Sequence, residues 1–291
     1  MRSCQKRLFL LVTISFALWW PSLVATLGLA LSRETHTHVI LILPLSLLLI
    51  YADRARLGKP AASFRSGAVL LAAALLVGVP AQWFSRSWPY DASLTLSVFA
   101  LVLWWIGSFT LCFGIRYTKA LIFPLCLLFW LVPIPEAGLD GVIQFLQRQS
   151  AFAARILFII AGVPVSQDGL LLSVPGLDVE VAPECSSIRS SLMLLISILA
   201  MAHLFLRSWW RKALFILMTV PLAALKNGLR IFVLVQIGTH LDPDVFDSDL
   251  HHRGGIVFFA ISIVIAVGVL YVLRRTESFP TRGLGSGVSD S

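Results

Sequence analysis

Charge is what this sequence most lacks. Asp, Glu, Lys and Arg make up 13% of its 291 residues, about half the share found in soluble domains. More than half of the chain is hydrophobic and the mean hydropathy is +0.87, which excludes a soluble globular protein. Cysteine is scarce too. The four present, Cys4, Cys112, Cys126 and Cys185, form no C-x-x-C pair and no ligand pattern with histidine, so neither a metal site nor a cofactor is expected. No internal repeat interrupts the chain. Acidic residues fall short of basic ones, giving a net charge of +8, but the basic residues are scattered between apolar runs instead of sharing one face. A nucleic-acid partner is therefore excluded, and the lipid bilayer is the expected surroundings.

Apolar runs approaching the ~20 residues needed to cross ~30 Å of hydrocarbon are what the chain has in abundance. The fold class expected is an all-α polytopic membrane protein of about eight transmembrane helices, at roughly 8–31, 38–52, 67–84, 92–115, 120–135, 188–206, 213–238 and 255–273. The first run follows Arg2, Lys6 and Arg7 like a signal peptide. It is too long for one and has no small-residue cleavage site, so it reads as a retained span. Residues 1–275 are expected to form a single bundle, with 276–291 a disordered tail rich in Gly and Ser. Cys112 and Cys126 lie inside apolar runs and read as small core hydrophobes; Cys4 reads as a cytoplasmic bystander.

Basic residues set the orientation. Arg2, Lys6 and Arg7, then Arg54, Arg56, Lys59 and Arg65, then Arg116 and Lys119, then Arg207, Arg211 and Lys212, then Arg274, Arg275 and Arg282 fall on alternate loops. The intervening loops hold few: Arg33 in one, Arg86 in the next and Arg253 in the last. Eight spans in a cell membrane with both termini cytoplasmic satisfy every loop. Residues 138–162 have helical length but carry Gln144, Gln147, Arg148, Gln149 and Arg155. Charges at mid-bilayer cost ~2.5–3.5 kcal/mol each on insertion scales, so this segment reads as an amphipathic helix on the extracytoplasmic face. The Gly and Asp turn signals that follow, with the alternating LDVEV, predict a short hairpin on that face.

Three polar features then converge on the extracytoplasmic edge. In VAPECSSIRSS (181–191), Cys185 and Arg189 stand at i and i+4 on one helix side. In KNGLRIFVLV (226–235), Asn227 and Arg230 stand at i and i+3 near the outer end of the seventh span. His251 and His252 precede the last. Cations beside a thiol favour thiolate, and so does the start of a helix. An arginine can hold a tetrahedral oxyanion, and a histidine can protonate a leaving amine. These are the parts of a cysteine acyl-transfer site. Taken singly, each has a plainer reading: a packed cysteine, arginines reaching toward headgroups, and loop histidines. A transporter with Arg189, Lys226, Arg230 and His251 along an anion path is a second reading, and a cysteine-dependent acyltransferase a third.

The runs FPLCLLFWLVPIPE (123–136), GVPVSQDGLLLSVPGLDVEVAPECSSIRSS (162–191), PLAALKNGLRI (221–231) and HHRGGIVFF (251–259) together resemble the exosortase/archaeosortase family in order and spacing. The resemblance implies a membrane-embedded cysteine protease or transpeptidase, a sortase analogue on an unrelated fold, with its catalytic part at about 120–275. It implies a thioester acyl-enzyme and, as partners, exported proteins with a C-terminal (PEP-CTERM-like) sorting signal and a transmembrane helix. It also implies Cys185 as nucleophile, Arg230 as catalytic arginine and His251 as acid/base, since His251 and Gly255 match the family spacing. His252 is the alternative, and Arg189 and Asn227 are secondary candidates. Glu136, Asp178, Glu180 and Glu184 rim the same face without assigned roles. Ser187 stands where the family commonly has glycine, and Ile256 where it often has tryptophan.

Overall fold

The computed structural model describes residues 2–54, 62–85, 87–181, 188–240 and 255–277. Its elements are α1 (Arg2–Ser32), α2 (Val39–Asp53), α3 (Phe64–Trp83), α4 (Tyr90–Phe113), α5 (Ile115–Ala120), α6 (Ile122–Leu127), α7 (Glu136–Ile160), β1 (Ser166–Asp168), β2 (Leu171–Val174), β3 (Leu177–Glu180), α8 (Ile188–Phe205), α9 (Trp209–Leu217), α10 (Thr219–His240) and α11 (Gly255–Arg275). Among the described residues, seven helical stretches are long and apolar enough to cross a membrane: Cys4–Ser32, Glu34–Asp53, Phe64–Trp83, Tyr90–Phe113, Ile188–Phe205, Trp209–Thr239 and Gly255–Arg275. The all-α polytopic membrane class stands. Packing divides the chain into two units, residues 2–147 with 188–192, and residues 148–181 with 193–277.

In the first unit α4 packs along α3 and α1. Pro21 denies α1 one hydrogen bond and bends it at Trp19, whose φ of −113° and ψ of 17° are not helical. The bend seats the Trp19 ring, fully buried, at 5.6 Å from that of Trp104. Gly78 makes room for it, since a Cβ there would lie 2.8 Å from the indole. Trp104 Nε1 donates to Leu11 O and Trp105 Nε1 to Ser15 Oγ, both at 2.9 Å. Cys112 is buried as expected, whereas Cys126 is exposed and is not a core residue.

The expected fifth span, 120–135, is present as a broken passage and not as one helix. Gly114 reverses the chain after α4 with a φ of 94°, a conformation open mainly to glycine. Pro124 cannot donate to Ala120 O and crowds it; the chain breaks at Leu121 (φ −106°, ψ 22°) between α5 and α6. A 3-10 turn over Leu128–Leu131 and extended backbone from Val132 follow. This segment runs back along α4, pinned by Thr118 Oγ1 to Thr110 Oγ1 at 2.9 Å and by Thr95 Oγ1 donating to Pro133 O at 2.9 Å. Thr95 and Thr110 lie about 22 Å apart on a helix rising 1.5 Å per residue. Ser46 of α2 donates to Pro124 O at 2.6 Å on the way.

In the second unit, the expected hairpin is larger than the sequence suggests. Three antiparallel strands form a meander in the order β1-β2-β3, Asp168 opposite Leu171 and Val174 opposite Leu177. Gly169-Leu170 and Pro175-Gly176 close its two turns, the glycines having φ of 60° and 87°; Pro then Gly is the type II pattern. Alternation turns Leu172 and Val174 inward, with Leu177 and Val179 packed beside them, and leaves Asp168, Asp178 and Glu180 exposed.

At the other end of this unit Glu277, just past α11, accepts hydrogen bonds from the backbone N–H groups of Arg207 (3.0 Å) and Ser208 (2.9 Å). The carboxylate thus caps the start of α9, where amide donors and the helix dipole favour an anion. Arg211 lies 3.7 Å from the same carboxylate and donates to Thr276 O. Thr276 and Glu277, the first two residues of the expected tail, are therefore held against α9; residues 278–291 of that tail lie outside the described residues. These amide and guanidinium partners hold the Glu277 carboxyl below the usual carboxylate range. A depressed folded-state pKa contributes stability that is present above the ordinary carboxylate pKa and lost as pH falls through the folded value. Glu277→Gln should therefore melt at a lower temperature than the native chain near neutral pH, and the gap should close on acidification below the carboxylate range.

Candidate functional site

The polar stretch of α10 is the part of the expected site that the structure describes. Lys226 and Asn227 are 4% and 1% exposed, and Arg230 is half-buried. Helical spacing places Lys226 and Asn227 on the Arg230 side, at i−4 and i−3. Burying such groups in an apolar helix is costly unless neighbours engage them, and all three have interaction partners.

Gly228 fixes where this stretch sits. A Cβ there would fall 2.7 Å from Ala153 Cβ and 2.8 Å from Ala154 N, so α10 and α7 meet nearly backbone to backbone. Small residues permit that approach between helices in a membrane. One turn further along, the Phe158 and Phe232 rings lie 5.0 Å apart at 60°. Beyond them Ile231 and Val235 join Leu172, Val174 and Val181 in one core with Ala151, Ala154 and Phe158. The meander is thus carried by the half of α10 that follows Arg230.

The span runs Trp209–Thr239, and Arg230 stands about 32 Å of helix after its start and about 14 Å before its end, in the last third of its length. The span starts four residues earlier than hydropathy suggests because Trp209 and Trp210 belong to it.

Of the other candidates, Arg189 is exposed in the first turn of α8. Cys185, His251 and His252, together with Glu184, lie outside the described residues. Asp178 and Glu180 are exposed on the outward face of β3. Sequence reasoning missed Gly228 and its partners Ala153 and Ala154. The signal was there, a glycine between Asn227 and Arg230 and a small-residue pair in SAFAAR, but its meaning depends on which helices face each other.

A family model described as transmembrane exosortase (Exosortase_EpsH) matches residues 9–268. The chain belongs to the transmembrane exosortase family. Membership implies a membrane protease or transpeptidase role. The match reaches back through the N-terminal spans, where the sequence reading found only shared hydrophobicity. No curated protein and no solved structure matches this exosortase.

The contact at Gly228 makes a sharp test. Gly228→Ala should lower stability by about 1–3 kcal/mol, the usual cost of overpacking, and should displace Arg230. Gly141→Ala on α7, where a Cβ meets nothing within 4 Å, should leave the melting temperature unchanged. Thermal unfolding in detergent compares the two.

Proposed function

We propose that this exosortase is a cysteine peptidase or transpeptidase that cleaves the C-terminal sorting signals of exported proteins at the extracytoplasmic face of the cell membrane. In this reading the thiolate of Cys185 attacks the scissile carbonyl carbon, and the carbonyl π electrons move to oxygen. The Arg230 guanidinium holds the resulting oxyanion. Collapse expels the amine, which takes a proton from His251, and leaves a thioester. The histidine then deprotonates an incoming amine or water, whose attack releases the thiolate. His252 is the alternative to His251; Asn227 and Arg189 orient thiol or substrate.

The observation that carries the reading is the shared core of Val181 and Ile231. Ile231 adjoins Arg230, and Cys185 follows Val181 by four residues. Such a tether spans at most ~14 Å fully extended, which supports a thiol acting beside the α10 core. Orientation has support too. Arg207, Arg211, Arg274 and Arg275 gather at one end of α9 and α11, around Glu277, whereas the meander packs on the far half of α10. An excess of basic residues marks the cytoplasmic side, which supports reading the meander as extracytoplasmic.

A second reading has one observation in its favour: Lys226 is buried within the span and Arg230 follows it by one turn, so an anion path would find cations there. The two readings diverge on loss of the thiol. Co-expressed with a reporter carrying a C-terminal sorting signal, Cys185→Ala should insert normally and leave the reporter uncleaved. Arg230→Lys should retain the charge but lose the fork of donors, lowering turnover about 10²-fold or more. Reporter cleavage by Cys185→Ala would overturn the assignment, and anion flux surviving in that variant would favour the path.

A further inference from the structure

An apolar groove lies in the second unit, away from the polar face of α10. Ile198, Phe215 and Ala266 form its buried floor, and Met218, Leu225 and Ile265 are its exposed lips. Its volume is about 170 Å³. Engineered cavities of about 150 Å³ lined by such residues stay dry and accept apolar ligands.

The sequence explains why the groove is there. Pro221 has no N–H for Leu217 O and crowds that carbonyl, so the span Trp209–Thr239 breaks at Met218 into α9 and α10. The break leaves space between these two helices and α11. Because these are spanning helices, hydrocarbon is the medium at the lips, and the natural apolar occupant is an acyl chain.

Charge decides which lipid. Lys212 stands three residues before Phe215 on α9. Arg274 stands about 7.5 Å of helix beyond Val269, another lining residue on α11. Arg207, Arg274 and Arg275 are exposed at this end. Glu277 is the acidic residue described there, and it is engaged with the start of α9 and with Arg211. The end of the groove therefore carries excess positive charge, complementary to a phosphate with no neutralising amine.

We propose that this groove takes one acyl chain of an anionic diacyl phospholipid, whose phosphate is held by Arg207, Lys212 and Arg274. The site is independent of the peptide chemistry, and its test does not use it. The full chain is reconstituted in vesicles of equal phosphatidylcholine and phosphatidylglycerol, extracted in mild detergent and weighed by native mass spectrometry. One phosphatidylglycerol should remain bound in preference to phosphatidylcholine. Ile265→Trp, at an exposed lip, should abolish retention without disturbing the core. The pair Lys212→Gln and Arg274→Gln should weaken it roughly tenfold or more, at about a kcal/mol-scale loss per basic group. Equal retention of both lipids, or retention unchanged in both variants, would overturn the proposal. A photo-crosslinking residue at Ile265 should give an adduct of phospholipid mass; an adduct of protein mass, from a second copy or a substrate helix, would overturn it as well.

Discussion

The close approach of α10 to α7 at Gly228 is the constraint on which the rest of the second unit depends. It brings two helix backbones within van der Waals contact at the level where Lys226, Asn227 and Arg230 stand. In lipid no solvent can compensate a polar side chain that loses its neighbours, so these groups must be engaged by the protein around them. A rigid seam on the neighbouring helix face makes that engagement reproducible. The Phe158–Phe232 contact continues the seam, and the core of Ile231, Val235, Leu172 and Val174 extends it into the meander. Position of charge and position of sheet both follow from one missing Cβ.

The class of the molecule was legible in its composition, because long apolar runs and scarce charge admit few other architectures. Orientation could be argued from loops alone. The fifth passage could not be read in detail: hydropathy averages over Pro124, Pro133 and Pro135, whereas the backbone responds to each. The meander was half legible. Turn residues and the LDVEV alternation announced β2 and β3, but β1, the three residues Ser166–Asp168, is polar and owes its form to pairing with β2.

Of the candidate site, the residue types and their helical spacing came directly from sequence. What spacing could not convey was how completely Lys226 is buried. Nor could it reveal that Gly228 serves close packing instead of flexibility. The close packing depends on α7, more than sixty residues upstream, and no local pattern encodes a partner at that separation. The cap on α9 from Glu277 illustrates the same limit: a single glutamate ahead of a Gly/Ser-rich tail looks dispensable until its amide donors are seen.

The broken passage alongside α4 bears on how the chain enters a bilayer. Pro124 and the extended backbone from Val132 interrupt helical bonding, so the segment holds backbone polar groups that hydrocarbon alone would not tolerate. Thr95 of α4 and Ser46 of α2 donate hydroxyls to Pro133 O and Pro124 O, and Thr110 of α4 bonds the Thr118 hydroxyl. Membrane entry of this stretch is consequently tied to order of synthesis. The earlier helices must already stand beside it, and it enters as their ligand and not by its own partitioning.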